Sequence, residues 1–227
     1  MKKLLIGFYL LIIIGIIVCL SNSDIFASKN SQAIAAGEKL YNKNCLICHG
    51  KTGKGEGPYA GTALNNQHFL STVSDKDLFN YVKFGREGTS MPAYDSRLSD
   101  KDLHNLVAFI RDWQNKEIEF DIPKTILGDS VNGEKQYNLY CLNCHGEAGA
   151  GKVKMGTVLS NSHYLEYTTD QQIWITTAYG REETRMGPSL KSLEGARQLS
   201  EKDITDIVSY IRTLKPIKET PNDYLKP

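Results

Sequence analysis

The sequence predicts an all-α protein: two similar helical units in tandem behind an apolar N-terminal helix. Three observations carry this. A segment recurs, since Gly37–Gly50 (GEKLYNKNCLICHG) and Gly133–Gly146 (GEKQYNLYCLNCHG) agree at ten of fourteen positions. Apolar residues near the end of each copy fall at helical spacing, and no run alternates apolar and polar residues as a half-buried strand does. The chain of 227 residues has room for two small domains, and with 41% hydrophobic and 23% charged residues it can build packed cores.

The first element is the apolar run Leu4–Leu20 behind Lys2 and Lys3. Its 17 residues reach about 26 Å as a helix, a little short of a hydrocarbon core of about 30 Å. The run is also longer than an ordinary signal-peptide core. It is an export signal, read either as a cleaved peptide or as an uncleaved anchor with its positive end inside. Cleavage after Ala27 would put Ile25 where a small residue is wanted, which favours the anchor. Cys19 reads as apolar filler, because Val18 sits where a lipoprotein signal needs a small residue.

Within each unit the repeat continues through His68-Phe69-Leu70 and His163-Tyr164-Leu165, Gly85-Arg86-Glu87 and Gly180-Arg181-Glu182, and Met91 and Met186. A helix is expected from the capping boxes Ser74-x-x-Asp77 and Thr169-x-x-Gln172 to Gly85 and Gly180, glycines suited to a left-handed C-terminal cap. The last helix of each unit opens on Ser99-x-x-Asp102 or Ser200-x-x-Asp203. It turns Leu103, Leu106, Val107, Ile110 and Trp113, or Ile204, Ile207, Val208, Ile211 and Leu214, onto one face. The second copy carries a short insertion after its Met. The stretch from Asn115 to Ser130 loses helical periodicity and reads as a linker. The divisions are 1–27 as signal or anchor, 28–116 as the first domain, 117–129 as linker, 130–216 as the second domain and 217–227 as tail.

Each unit holds one Cys-x-x-Cys-His: Cys45, Cys48 and His49, then Cys141, Cys144 and His145. That spacing is the haem c attachment signature. Two thiols on one helical turn can add to the two vinyl groups of a porphyrin, and the next residue offers an imidazole to the iron. Structural zinc and disulfides compete for the same cysteines. Chance is hard to sustain when both copies place His directly after the second Cys and Met about 42 residues later. Met more often fills gaps in a core, but the chain has only four, and one stands at the matching place in each copy.

On these residues the chain resembles tandem class I cytochromes c, from about Gln32 to Leu214. The resemblance implies two such domains, each wrapped round one covalent haem, with two haem c in all. It implies His49 and His145 as proximal and Met91 and Met186 as distal iron ligands. Met91-Pro92 matches the family's motif, whereas Met186-Gly187-Pro188 departs from it by one Gly. Gly37 with Tyr41 and Gly133 with Tyr137 look like the first-helix residues that pack on the last helix. Pro58 looks like the proline whose carbonyl orients the proximal imidazole, and the second unit has Val153 and Lys154 near that place. His68 and His163 are rival distal ligands, at lower potential. Arg86 and Arg181 read either as contacts to a haem propionate or as solvated surface residues. The glycine-rich stretches after each motif read as tight turns beside the haem.

The function implied is single-electron transfer in a respiratory or photosynthetic chain, as a carrier or as a haem subunit of a larger complex. No catalytic residue is expected. A dihaem enzyme of the peroxidase or thiosulfate dehydrogenase type is the alternative, and would break the parallel between the two ligand sets. The resemblance extends to cytochrome c partners of quinol-oxidising complexes, so the expected partners are redox donors and acceptors, including such a complex or a terminal oxidase. The near balance of 27 basic and 26 acidic residues excludes a nucleic-acid footprint. The expected location is the cell membrane with the haem domains on the exported, periplasmic or outer, face, or the periplasm in soluble form after cleavage.

Overall fold

A computed structural model describes residues 30–57, 59 and 61–216. The apolar run, Pro58 and the tail 217–227 lie outside the described residues. No helix among the described residues is long and apolar enough to cross a membrane.

The first unit is built from α1 (residues 30–44), α2 (Leu46–His49), α3 (Gln67–Thr72), α4 (Asp75–Phe84) and α5 (Asp100–Asp112). The second repeats it with α6 (Ser130–Tyr140), α7 (Leu142–His145), α8 (Ser162–Tyr167), α9 (Asp170–Tyr179) and α10 (Glu201–Thr213). Among the described residues the only β features are two isolated bridges, Lys152 with Gly156 and Leu190 with Leu199. All four capping boxes form, so each helix start has two of its orphan amides satisfied.

First and last helices cross at a glycine in each unit. A Cβ on Gly37 would collide with the carbonyl of Asn105 in α5, and one on Gly133 with that of Asp206 in α10. This close approach lets Tyr41 and Tyr137, one turn on, sink to 0% exposure. Tyr41 stacks edge-on to Trp113 and beside Phe109, and Tyr137 packs on Tyr210. The apolar faces of α5 and α10 bury Leu103, Leu106, Val107 and Ile110, and Ile204, Ile207, Val208 and Ile211, as their spacing predicts.

One expectation needs correcting. Gly85 and Gly180 do end α4 and α9 at positive φ, but with ψ of −150° and −163° rather than the left-handed helical value. That mirror-extended conformation is nearly restricted to glycine. It turns the chain back so that Arg86 N–H meets the Met91 carbonyl at 2.9 Å, and Arg181 N–H that of Met186 at 2.6 Å. The linker packs against both units. Phe120, Ile122 and Ile126 pack on the second core, Phe120 stacks against His68 and Tyr179, and Ile118 N–H donates to Ser71 of the first unit. It is a strap bound to both units.

Much of the contact between the units comes from one set of residues used twice. Asn66 donates to the Glu182 carbonyl and Asn161 to that of Glu87, both at 2.7 Å. His68 donates to the Gly180 carbonyl at 3.1 Å and His163 to that of Gly85 at 3.2 Å. Arg181 lies 4.6 Å over the ring of Phe69 and Arg86 lies 5.3 Å over that of Tyr164. Helix α3 touches α9 as α8 touches α4. Residue i meeting j while the equivalent of j meets the equivalent of i is the signature of a two-fold relation.

Candidate haem sites

Each attachment motif is held by its first helix. The Cys45 and Cys141 amides donate to the Tyr41 and Tyr137 carbonyls, and α2 and α7 then supply one short turn. Gly50 and Gly146 stop that turn at φ of +82° and +76°. The buried phenols seal the corner, with Tyr41 Oη donating to the Gly50 carbonyl and Tyr137 Oη to that of Gly146, both at 2.7 Å.

The cysteines fit thioether attachment. All four are free of disulfides, and each pair lies on one turn. Burial pushes the Cys45 thiol up to about 12 and the Cys141 thiol up to about 11. Protonated thiols are poor metal ligands, which disfavours zinc at these cysteines. Among the described residues no cluster of three or more His, Cys, Asp or Glu side chains is suited to hold a metal ion.

His49 is 8% exposed, and its Nδ1 lies 2.7 Å from the Thr62 carbonyl. His145 Nδ1 lies 3.0 Å from the Thr157 carbonyl. A carbonyl only accepts, so each ring carries its proton on Nδ1 and keeps the Nε2 lone pair for a metal. Burial holds both imidazoles below the usual range, against the upward pull of the carbonyls. The nearby charge of Arg86 adds to the lowering at His49, and those of Arg197 and Arg181 at His145. Both rings are therefore neutral at neutral pH, the form that binds a metal. The His49 imidazole takes its carbonyl from Thr62, and Pro58 lies outside the described residues. Thr157 is the equivalent residue, so the second unit has the same support despite Val153 and Lys154.

Met91 and Met186 sit on loops of identical construction. Thr89 and Thr184 hydroxyls donate to the Arg86 and Arg181 carbonyls, and accept from the Met91 and Met186 amides at 3.1 Å. The extra Gly187 therefore follows a Met loop that is already closed. The insertion of the second unit brings Arg197 onto this loop, where its guanidinium donates to Ser189 Oγ at 2.7 Å and to the Gly187 carbonyl at 2.5 Å. Nothing in the sequence marked Arg197.

The rival histidines turn elsewhere. Besides its bond to Gly180, His68 places Nε2 3.3 Å from Glu182, and His163 lies among Phe84 and Tyr167. Arg86 and Arg181 are partly buried in the face between the units, over the rings of Tyr164 and Phe69, and neither pairs with a carboxylate among the described residues.

A family model for cytochrome c oxidase, cbb3-type, subunit III matches residues 32–110, and one for cytochrome c matches residues 130–215. The Cbb3-type cytochrome c oxidase subunit FixP of Bradyrhizobium sp. (strain ORS 278) is 34% identical over 64 residues, which is 28% of this chain and 22% of that protein. The alignment thus spans about a fifth of that relative's length. A chain of the reducing HAO-like protein complex of Kuenenia stuttgartiensis shares the fold, with a TM-score of 0.51 at 18% identity over 79% of this chain and 96% of that one. Two cytochrome c domains in tandem, each binding one haem c covalently, make this chain a dihaem member of the cytochrome c family.

Proposed function

We propose that the chain moves single electrons through two equivalent haem sites on the exported face of a membrane, as a carrier or as a haem subunit of a larger respiratory or photosynthetic complex. Cys45, Cys48, Cys141 and Cys144 hold the haems, His49 and His145 are the proximal ligands, and Met91 and Met186 the distal ones. When bound, haem c supplies the Fe(III)/Fe(II) couple. The observation that carries this reading is the duplication of the whole site: the same carbonyl on Nδ1 and the same Thr-closed Met loop recur in both units. An enzyme that opens one iron to substrate needs the two sites to differ. The name of the relative FixP, an oxidase subunit, supports a terminal oxidase as a partner, and the run Leu4–Leu20 supports a membrane anchor.

Carbon monoxide tests the reading. With both Met ligands in place, the reduced protein stays closed to carbon monoxide at neutral pH, and the oxidised protein shows the weak near-infrared band of sulfur-to-iron ligation. Met91→Ala or Met186→Ala opens only its own haem and lowers that haem's potential, because His/Met ligation raises it. Ready binding at one haem of the unaltered protein would instead indicate a dihaem enzyme.

A further inference from the structure

The face between the units is nearly two-fold, yet some contacts occur only once, and one of these bears on the metal-site residues. Arg86 Nη1 donates to the Thr157 hydroxyl across the interface at 2.5 Å, and among the described residues no bond joins Arg181 to Thr62. Arg86 also uses its main chain, whose N–H meets the Met91 carbonyl at 2.9 Å. Thr157 in turn offers its carbonyl to His145 Nδ1 at 3.0 Å. Three consecutive bonds therefore run from the Met91 loop of the first unit to the imidazole of the second.

The surroundings fix what this guanidinium is. Burial lowers the pKa of both interface arginines, that of Arg181 to about 10, so both stay charged at neutral pH. The titratable groups facing them are Tyr81 and Tyr164, His49 for Arg86 and His145 for Arg181, and each other. Two like charges share a face with aromatic rings, and among the described residues neither is paired with a carboxylate, an arrangement that favours an added electron on either side.

We propose that Arg86 is a positioning residue for the second haem site, supplied by the first unit, and that it couples the two sites by holding the Met91 loop and Thr157 together. This rests on reading Met91 and His145 as iron ligands. When the Met91 loop shifts, the guanidinium shifts with it, and Thr157 then changes the direction or strength of the bond that orients the His145 ring. The reverse route, from the second Met loop to His49, lacks its middle bond. Only one of the two possible links between the sites is therefore made.

The test uses the full haem-loaded protein, with spectroelectrochemical titration of both haems and the haem-methyl NMR shifts of the oxidised form, which report imidazole orientation. Arg86→Gln is expected to move the methyl shifts of the second haem and to lower its midpoint by up to a tenfold change in its reduction equilibrium, about 59 mV for one electron. Thr157→Val keeps every charge and removes only the hydroxyl. It is expected to reproduce the NMR change without the loss of positive charge, and the double variant to show no larger NMR change than either single one. Additive NMR effects, a change confined to the first haem, or a second haem that ignores Thr157→Val would each overturn the proposal and leave Arg86 as an interface residue. Absence of the near-infrared sulfur band in the unaltered protein would overturn the ligand reading separately.

Discussion

Two buried tyrosines brace the turns that follow the attachment motifs. Tyr41 and Tyr137 are fully buried and spend their hydroxyls on the carbonyls that follow each motif. Tyr41→Phe or Tyr137→Phe leaves that carbonyl without its donor, so each should cost about 1–3 kcal/mol in denaturant unfolding of the haem-loaded protein. Burial first, and then nearby groups, pushes both phenols well above the usual range. A folded pKa above the unfolded value of about 10 means stability is intact below pH 10 and falls as pH rises further. Absorbance titration should show these two phenols ionising together with unfolding rather than before it. At this scale the sequence was readable where chemistry dictates residue type: the motif, the two Met and the two Tyr stand out on repetition alone. Arg86, Arg181, His68 and His163 also stood out, but their surroundings come from the opposite unit, and local pattern does not encode those.

Helices carry the fold through their ends and crossings. Ser200 caps α10 through a reciprocal box with Asp203, so Ser200→Ala should lower stability by about 1 kcal/mol. Gly133→Ala is a different matter, because the new methyl meets the α10 backbone rather than a movable side chain. It should cost about 3 kcal/mol and push α6 off α10, with loss of near-ultraviolet dichroism at lower temperature as the readout. The four caps were legible because a box needs only two residues at fixed spacing. Helices α3 and α8 were not, since six residues show little more than one turn of periodicity. Their one local signal is an N-capping Asn, Asn66 or Asn161, which accepts from the Phe69 or Tyr164 amide. The turn after α4 and α9 was half legible: glycine announced a positive φ, but the Met loop decides ψ.

At the scale of the whole molecule, the two units and the strap should unfold as one. Asn66 and Asn161 each cap a helix and donate across the interface, so the pair Asn66→Ala and Asn161→Ala removes two caps and two cross-unit bonds together. Calorimetry of that variant should show two transitions where the parent shows one, and limited proteolysis should begin in the strap, residues 117–129. The tandem architecture was plain in the repeat, but the docking of the copies was not. A duplicated sequence says that two similar bodies exist, and only their surfaces say how they meet.

The near-symmetry of that meeting has a consequence of its own. Two copies of one unit placed about a two-fold axis as separate chains must carry every contact twice, which gives their haems equal potentials and leaves electrons no preferred way to run. A single chain escapes this constraint, because each half is written separately. The Arg86–Thr157 bond and the Arg197 insertion each occur on one side only. Joining the halves thus does more than keep them near one another: it lets a symmetric pair acquire an arrow.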